Sequence, residues 1–212
     1  MSEHSGEHWP GEQAVEVAAP PDEDTGEEPA VEEEPAVELE EQLAGHAPGS
    51  LDIPDGVDLV EGSPQGTRKR VAIVLSRFNG DVTNRLLESA LAELDRAGID
   101  REHVTVMPVP GAFELPIGAM ALAKTRRYVA IVALGCVIRG ETAHFEYVAG
   151  EAASGLQLAA LETGVPVAFG VLTTENLEQA MARADKGAEA VRSALEMADL
   201  FNQLRASAKA AG

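Results

Sequence analysis

The 212 residues suffice for one ordinary domain and an additional segment, and the net charge of −20 is concentrated at one end. Residues 1–67 contain 19 Asp and Glu and no Lys or Arg, which leaves 17 acidic and 16 basic residues for the remainder. A remainder of balanced charge, with one basic cluster at residues 68–70, argues against nucleic acid as a partner. The single cysteine, Cys136, excludes an internal disulfide and a CxxC metal site.

No basic or apolar stretch typical of a signal peptide stands at the N-terminus. The longest apolar run, Val129–Leu134, is too short to span a bilayer. We therefore expect a cytoplasmic protein with no membrane contact.

Residues 1–66 form an acidic extension rich in proline, with eight of the twelve prolines before residue 65. A segment with many Glu and few large apolar residues cannot bury enough surface to offset its ordering entropy, so we expect disorder up to about residue 50. Like-charge blocks usually repel and extend, which favours a solvating tail over an acidic docking tail for a basic partner.

Residues 67–207 show the alternation of strands and helices expected of one domain. Val71–Leu75 is an apolar run typical of a strand buried on both faces, and Val104–Val109 predicts a second strand. Between these strands a helix ends at Gly98 and carries its apolar side on Leu86, Leu87, Ala90, Leu91 and Leu94. The next helix has Pro116 in its first turn and carries Phe113, Ile117, Met120 and Ala121 on one face.

The second half of the domain continues the same pattern. Strands are predicted at Val129–Ile138 and Val165–Thr173. The helix between them ends at Gly164 and places Val148, Ala152, Leu156 and Ala159 on one face. Thr174 is a candidate N-cap for a helix from about Glu175. The last helix, with Val191, Leu195 and Ala198 on one face, runs to about residue 207 and leaves a flexible C-terminus at 208–212.

Strands that alternate with helices and are buried on both faces predict an α/β fold with a four-stranded parallel sheet and helices on each side. The edges of so small a sheet need cover. The segment 50–61 contains five large apolar residues and could form an edge strand in its own sheet or in that of a neighbouring molecule. This segment therefore favours an oligomer.

In open parallel sheets, ligands bind beyond the carboxyl ends of the strands. Four segments occupy such positions: Ser76–Asn79, Pro110–Glu114, Gly135–His144 and Phe169–Thr174. Phe78 would be exposed there unless a ligand stacks on it, and Gly111 allows a ligand to approach the backbone closely. The amides at the helix start near His144 form a natural anion site, and a histidine can transfer protons near neutral pH. Alone, a histidine at a helix start is more often a surface residue.

Four motifs, SRFN (76–79), PGAFELP (110–116), GCVIRGETAHFEYV (135–148) and FGVLTTEN (169–176), together resemble the lumazine synthase family. The resemblance runs in order from about Val71 to Leu200. It implies a flavodoxin-like three-layer α/β/α fold that forms homopentamers, which in some members assemble into icosahedral shells.

The resemblance also implies a transferase of the penultimate step of riboflavin biosynthesis. Such an enzyme condenses 5-amino-6-(D-ribitylamino)uracil with 3,4-dihydroxy-2-butanone 4-phosphate and releases 6,7-dimethyl-8-ribityllumazine, phosphate and water. It uses no metal and no organic cofactor. Riboflavin synthase is the functional partner that this resemblance suggests.

Residues that match the motifs receive roles from the resemblance. Those expected to bind ribitylaminouracil are Phe78, Ala112, Phe113, Glu114, Cys136, Val137, Ile138 and Phe169. Phe78 would stack on the pyrimidine and Glu114 would accept hydrogen bonds from ribityl hydroxyls, whereas the alternative for Phe78 and Phe113 is packing in the core. Cys136 would contact the ring through its backbone, so its thiol need not react.

The phosphate-binding residues implied are Glu141 and Thr142 through their main-chain N–H groups, Arg183 through its guanidinium, and Lys186. Phe169 and Arg183 would come from a neighbouring subunit, and a solvated helix arginine is the alternative for Arg183. His144 matches the family's proton-transfer residue.

One departure from the family pattern lies near the C-terminus. Only Ala184 and Asp185 separate Arg183 from Lys186, whereas the family usually has a longer loop before its Lys-Gly pair. The placement of Lys186 and the formation of shells therefore stay open. Two further hypotheses are a non-catalytic lumazine- or riboflavin-binding protein and a shell scaffold whose acidic tail recruits positively charged cargo.

Overall fold

The computed structural model describes residues 51–66 and 69–210, in which four strands and five α-helices alternate. The strands are β1 (Val71–Ser76), β2 (Val104–Val109), β3 (Ala130–Ile138) and β4 (Val167–Thr174). The helices are α1 (Gly80–Arg96), α2 (Leu115–Lys124), α3 (His144–Thr163), α4 (Leu177–Ala182) and α5 (Lys186–Ala210). None of the helices in these residues is long and apolar enough to cross a membrane.

The four strands form one parallel sheet in the order β2-β1-β3-β4. All residues of β1 and the first seven residues of β3 are buried, because these two strands lie in the centre of the sheet with helices on both faces. The predicted α/β class with a four-stranded parallel sheet is thus confirmed. The order also leaves β2 and β4 as the edges.

Two apolar cores sandwich the sheet, one on each face. Alternate side chains of β1 point to opposite faces, so Ile73 packs in one core with α1 and α5, and Val74 packs in the other with α2 and α3. Leu86 and Leu195 belong to the first core and Leu156 to the second. This arrangement is the three-layer α/β/α sandwich of the flavodoxin-like type.

The buried face of α2 differs from the predicted one. Phe113 precedes the helix in a 3-10 turn, and Ile117 is 73% exposed, whereas Leu115 and Ala119 are buried against the sheet. Almost every residue of α2 is apolar, so apolar spacing could not distinguish the face that packs on the sheet from the face that does not. Pro116 lies in the first turn, as predicted.

Two other helix ends differ from prediction. Thr174 is the last residue of β4, and Asn176 caps α4 instead, with its side-chain oxygen accepting a hydrogen bond from the Gln179 N–H over 2.9 Å. Helix α5 continues to Ala210, three residues beyond the predicted end, so residues 208–210 are helical. By contrast, Gly98 and Gly164 end their helices as predicted, both with positive φ.

Residues 51–66 contain no strand, so within these described residues the predicted edge strand does not pair with the sheet of its own chain. Residues 61–63 instead contact α5, where the Ser63 N–H donates to Asp199 over 3.0 Å and the Gln203 side chain donates to the Glu61 carbonyl over 2.7 Å. Pairing with a neighbouring molecule stays a prediction. The predicted disorder before about residue 50 lies outside the described residues.

Candidate active site

A cavity of about 590 Å³ lies beyond the carboxyl ends of β1, β2 and β3, where the parallel sheet was expected to bind ligands. It brings together three of the four motif segments singled out in the sequence, and the start of α3 closes one side. The predicted site residues that line it are Phe78, Ala112, Phe113, Glu114, Cys136, Val137, Ile138, Thr142 and His144.

Exposed aromatic side chains stand around this cavity. Phe78 is 69% exposed and Phe113 is 53% exposed, so in this chain neither belongs to the apolar core. Tyr147 also lines the cavity and is 71% exposed, although no role was predicted for it. Exposed aromatic rings at a concave surface are suited to stacking on a planar ligand.

Asn79 is a cavity residue that had no predicted role. Its backbone is left-handed, with φ of 57°, and its side-chain Nδ2 donates to the Cys136 carbonyl over 2.9 Å. Asparagine is among the few non-glycine residues that adopt this conformation readily. The position of Asn79 between Phe78 and a helix start was the only available signal, because a left-handed residue and its long-range partner cannot be recognised from spacing.

The turn after β2 is stabilised by Glu114. The Gly111 N–H donates to the Glu114 carboxylate over 2.9 Å, and the Glu114 N–H donates to the Gly111 carbonyl over 3.3 Å. Glu114 lines the cavity and its carboxylate has further lone pairs, so it can accept hydrogen bonds from a ligand as well. The same turn is joined to the loop after β1, since the Phe78 N–H donates to the Pro110 carbonyl.

Cys136 is only 2% exposed although it lines the cavity. Burial raises the pKa of this thiol to about 11. The thiol is therefore protonated near neutral pH, which disfavours a nucleophilic role and leaves the backbone as the part of Cys136 that can contact a ligand.

The N-terminus of α3 forms one side of the cavity. The helix begins at His144, and its N-cap position is occupied by Ala143, which has no side-chain oxygen to satisfy the first amides. Thr142 and Gly140 line the cavity, whereas Glu141 between them is exposed and does not. A helix start of this kind attracts an anion through its amides and its dipole.

Three predicted site residues lie away from this cavity. Phe169 is the third residue of β4, paired with Ala133, so it lies well below the carboxyl end of the strand. Together with Lys186 it lines a second, smaller cavity of about 220 Å³. Arg183 follows α4, and its guanidinium donates to the Gln179 carbonyl over 3.1 Å. Among the residues that the structure describes, none of these three lines the larger cavity that contains Phe78.

The fold and this cavity together define a flavodoxin-like α/β protein with a cavity of small-molecule size beyond the carboxyl ends of its strands. Comparison with known proteins is more specific. The 6,7-dimethyl-8-ribityllumazine synthase family model matches residues 68–202. The chain is 50% identical over 155 residues to 6,7-dimethyl-8-ribityllumazine synthases of Yersinia pestis (strain Pestoides F) and Yersinia pseudotuberculosis serotype O:1b (strain IP 31758), an overlap of 70% of this chain and 99% of each relative.

The chain belongs to the 6,7-dimethyl-8-ribityllumazine synthase family. It is accordingly an enzyme, a transferase of riboflavin biosynthesis, as the four motifs predicted.

Proposed function

We propose that this chain condenses 5-amino-6-(D-ribitylamino)uracil with 3,4-dihydroxy-2-butanone 4-phosphate to 6,7-dimethyl-8-ribityllumazine, phosphate and water, without a metal or organic cofactor. The observation that carries the proposal is the cavity itself, in which aromatic side chains and an uncapped helix start line one space. A planar pyrimidine and a phosphate are the two chemical groups that such a space suits.

The aromatic part of the cavity takes the ribitylaminouracil. Phe78 stacks on the pyrimidine, the backbone of Cys136, Val137 and Ile138 contacts the ring edge, and Glu114 accepts hydrogen bonds from the ribityl hydroxyls. The backbone of Ala112 and Phe113 approaches the ribityl chain. Support comes from the position of all these residues at the same cavity.

The helix start takes the phosphate. The main-chain N–H groups of Glu141 and Thr142 bind its oxygens, and the exposed Glu141 carboxylate stays directed into solvent because two anions repel. His144 moves protons during formation of the Schiff base and loss of phosphate. Orientation of the two substrates supplies much of the rate, since holding reactants together contributes roughly 7–11 kcal/mol.

A neighbouring subunit completes the site. Phe169, Arg183 and Lys186 lie on β4, after α4 and on α5, away from the cavity of their own chain. Because the supplying surface and the receiving surface are different, the contact is heterologous, and repetition of such a contact closes a ring when the rotation between neighbours is a whole fraction of a turn. We propose a homopentamer, in which Phe169 closes over the ring and Arg183 and Lys186 bind the phosphate.

The short connection after Arg183 is compact rather than strained. The Ser89 hydroxyl of α1 contacts the Asp185 carbonyl and accepts from the Ala188 N–H, both over 3.2 Å. Lys186 begins α5 and ion-pairs with Glu189. We propose that this connection presents Arg183 to the neighbouring cavity directly, while the contribution of Lys186 depends on rearrangement of its ion pair.

A turnover assay with both substrates tests the proposed reaction. The full chain should release phosphate and 6,7-dimethyl-8-ribityllumazine in equal amounts, and Phe78→Ala should lose most of this activity through weaker uptake of ribitylaminouracil. Uptake of ribitylaminouracil in calorimetry without any turnover would support the non-catalytic binding protein instead. Failure of uptake would contradict both functions.

The acidic extension favours a second role beside catalysis. Nineteen acidic residues and no basic ones in residues 1–67 form a charge block that could coat a particle and attract a positively charged protein or riboflavin synthase. Light scattering of the full chain and of a chain lacking residues 1–50 tests this role. Equal particle mass and equal co-purifying partners for the two chains would remove its basis.

A further inference from the structure

One arginine joins three segments at the helix-start side of the cavity. Arg139 directly follows β3, and its main-chain N–H donates to the Thr174 carbonyl over 2.9 Å. Its Nε lies 3.0 Å from a carboxylate oxygen of Glu175, and its Nη1 lies 3.2 Å from a carboxylate oxygen of Glu146. The guanidinium carbon lies 4.4 Å from the centroid of the Phe145 ring. Arg139 thus connects the end of β3, the loop after β4 and the first turn of α3.

These contacts are next to the residues that line the cavity. Gly140 and Phe145 both line the cavity. In sequence, His144 lies between the proposed phosphate-binding residues 141–142 and the Arg139 partners Phe145 and Glu146. A guanidinium that stacks on Phe145 and pairs with Glu146 restrains two consecutive residues of the first helical turn. The orientation of this turn decides where its amides and His144 point.

The charges around the helix start give the same arginine a second effect. Glu141, Glu146 and Glu175 are all exposed carboxylates on the segments that surround the helix start. A phosphate approaching the amides would be repelled by these carboxylates, because like charges oppose each other across a partly desolvated cleft. Arg139 pairs with two of the three, and its hydrogen bonds to Glu175 and Glu146 raise the pKa of its guanidinium. An arginine is charged at neutral pH with or without such pairs, so it offsets these two carboxylates.

We propose that Arg139 is a positioning residue for the phosphate-bearing substrate. It holds Phe145 and Glu146 in the first turn of α3 and neutralises Glu146 and Glu175, so that the helix start accepts a phosphate. Arg139 itself need not touch the substrate. This role rests on the proposed function, since it presumes that the phosphate of the butanone substrate binds at this helix start.

Steady-state kinetics of the full-length Arg139→Gln variant test the role. The KM for 3,4-dihydroxy-2-butanone 4-phosphate should rise about three- to tenfold, while the KM for ribitylaminouracil should change by less than about twofold. Arg139→Lys should recover part of the loss, because an ammonium keeps the charge but cannot form two directed pairs and stack at once.

Arg101→Gln is the matched control. Arg101 is also exposed and pairs with a carboxylate, that of Asp95, but it precedes β2 and so lies at the opposite end of the sheet from the cavity. Its removal should leave both KM values unchanged. The triple variant Arg139→Gln, Glu146→Gln, Glu175→Gln should bring the KM for the phosphate substrate back toward that of the unmodified chain, because the repelling carboxylates are gone.

Equal KM values for the Arg139 and Arg101 variants would overturn this role. Equal rises for both substrates would overturn it too, since that result indicates a general loss of structure. No recovery in the triple variant would overturn the neutralising effect, because the KM for the phosphate substrate would then be independent of the two carboxylates. Absence of turnover by the unmodified chain would overturn the proposed function and this role with it, so the two failures are distinguishable.

Discussion

The Asn79 side chain donates a hydrogen bond to the Cys136 carbonyl over 2.9 Å. This bond connects the N-terminus of α1 to β3. The two residues are 57 positions apart in the chain, yet they meet because Asn79 closely follows β1 and Cys136 belongs to β3, the strand that pairs with β1. The bond holds the backbone between Phe78 and α1 against β3, whose residues Cys136, Val137 and Ile138 line the cavity.

Substitutions of Asn79 separate this hydrogen bond from the left-handed backbone. Asn79→Gly should lower the free energy of unfolding by about 1 kcal/mol through loss of the bond. Asn79→Ala should be less stable than Asn79→Gly, because alanine loses the same bond and also disfavours a φ of 57°. Urea unfolding at one fixed protein concentration compares the three chains. Equal stability of the alanine and glycine variants would contradict the backbone argument.

His144→Ala should slow turnover without abolishing it. Proton transfer by a positioned side chain typically contributes about 10²–10⁴-fold, and the orientation of the two substrates remains when the imidazole is removed. Steady-state kinetics should show a lower kcat, with uptake of ribitylaminouracil in calorimetry close to that of the unmodified chain. Complete loss of turnover with intact uptake would show that the reaction depends on His144 alone.

Arg183→Ala should chiefly raise the KM for the phosphate substrate, since its guanidinium is proposed to bind phosphate from a neighbouring subunit. The trans arrangement makes a sharper test. In an equal mixture of Arg183→Ala and Phe78→Ala subunits, about a quarter of the sites should combine an intact Phe78 from one subunit with an intact Arg183 from its neighbour. These sites should be active. Activity of the mixture equal to the sum of the two separate variants would show that Arg183 and Phe78 act within one chain.

The Cys136 thiol should make stability fall at alkaline pH. Burial raises its pKa to about 11 in the folded chain, whereas an exposed thiol ionises near pH 8.5, so its stabilising effect is complete below about 8.5 and is lost as pH rises through 11. Cys136→Ala should flatten this dependence, measured by urea unfolding between pH 7 and 10. Turnover by Cys136→Ala at pH 7 should stay within a few-fold of turnover by the unmodified chain. A loss of more than about 10²-fold would indicate a chemical role for the thiol.

Gly187→Ala, in the first turn of α5, should lower the free energy of unfolding by about 1–3 kcal/mol, the cost of overpacking. A Cβ at this position would lie 2.1 Å from the Leu86 carbonyl oxygen and 2.5 Å from the Ser89 hydroxyl. Gly150→Ala in α3 is the control, because nothing lies within 4 Å of its Cβ and alanine favours a helix by roughly 0.5–1 kcal/mol. The midpoint of thermal unfolding should therefore fall for Gly187→Ala and rise for Gly150→Ala. A similar shift of the midpoint in both variants would contradict the packing argument.

Strand positions followed closely from the sequence because each strand is a short, largely apolar run that is followed by a polar or proline residue. β2 begins and ends at the predicted residues, and β1 is longer by Ser76 alone. The position of the cavity followed as well, since parallel strands end at the same edge of a sheet. The motif sequences named the family correctly, because four segments in order carry far more information than any single residue.

Other features depended on packing that spacing does not encode. The sequence of α2 is apolar on all sides, so only contact with the sheet decides that Leu115 is buried and Ile117 is exposed. Thr174 and Asn176 are both suitable caps, and the choice depends on where pairing between β3 and β4 stops. The tie between Asn79 and Cys136 needs two strands side by side before it can exist.

By itself, the sequence determined which residues form strands, where their carboxyl ends converge and which family the motifs belong to, because these follow from local apolar patterns and contiguous segments. Only the tertiary structure decided that Asn79 reaches the Cys136 carbonyl and that Arg139 joins three segments beside the cavity. The physical reason is that distances between residues far apart in the chain arise from strand order and helix packing, which no local pattern records.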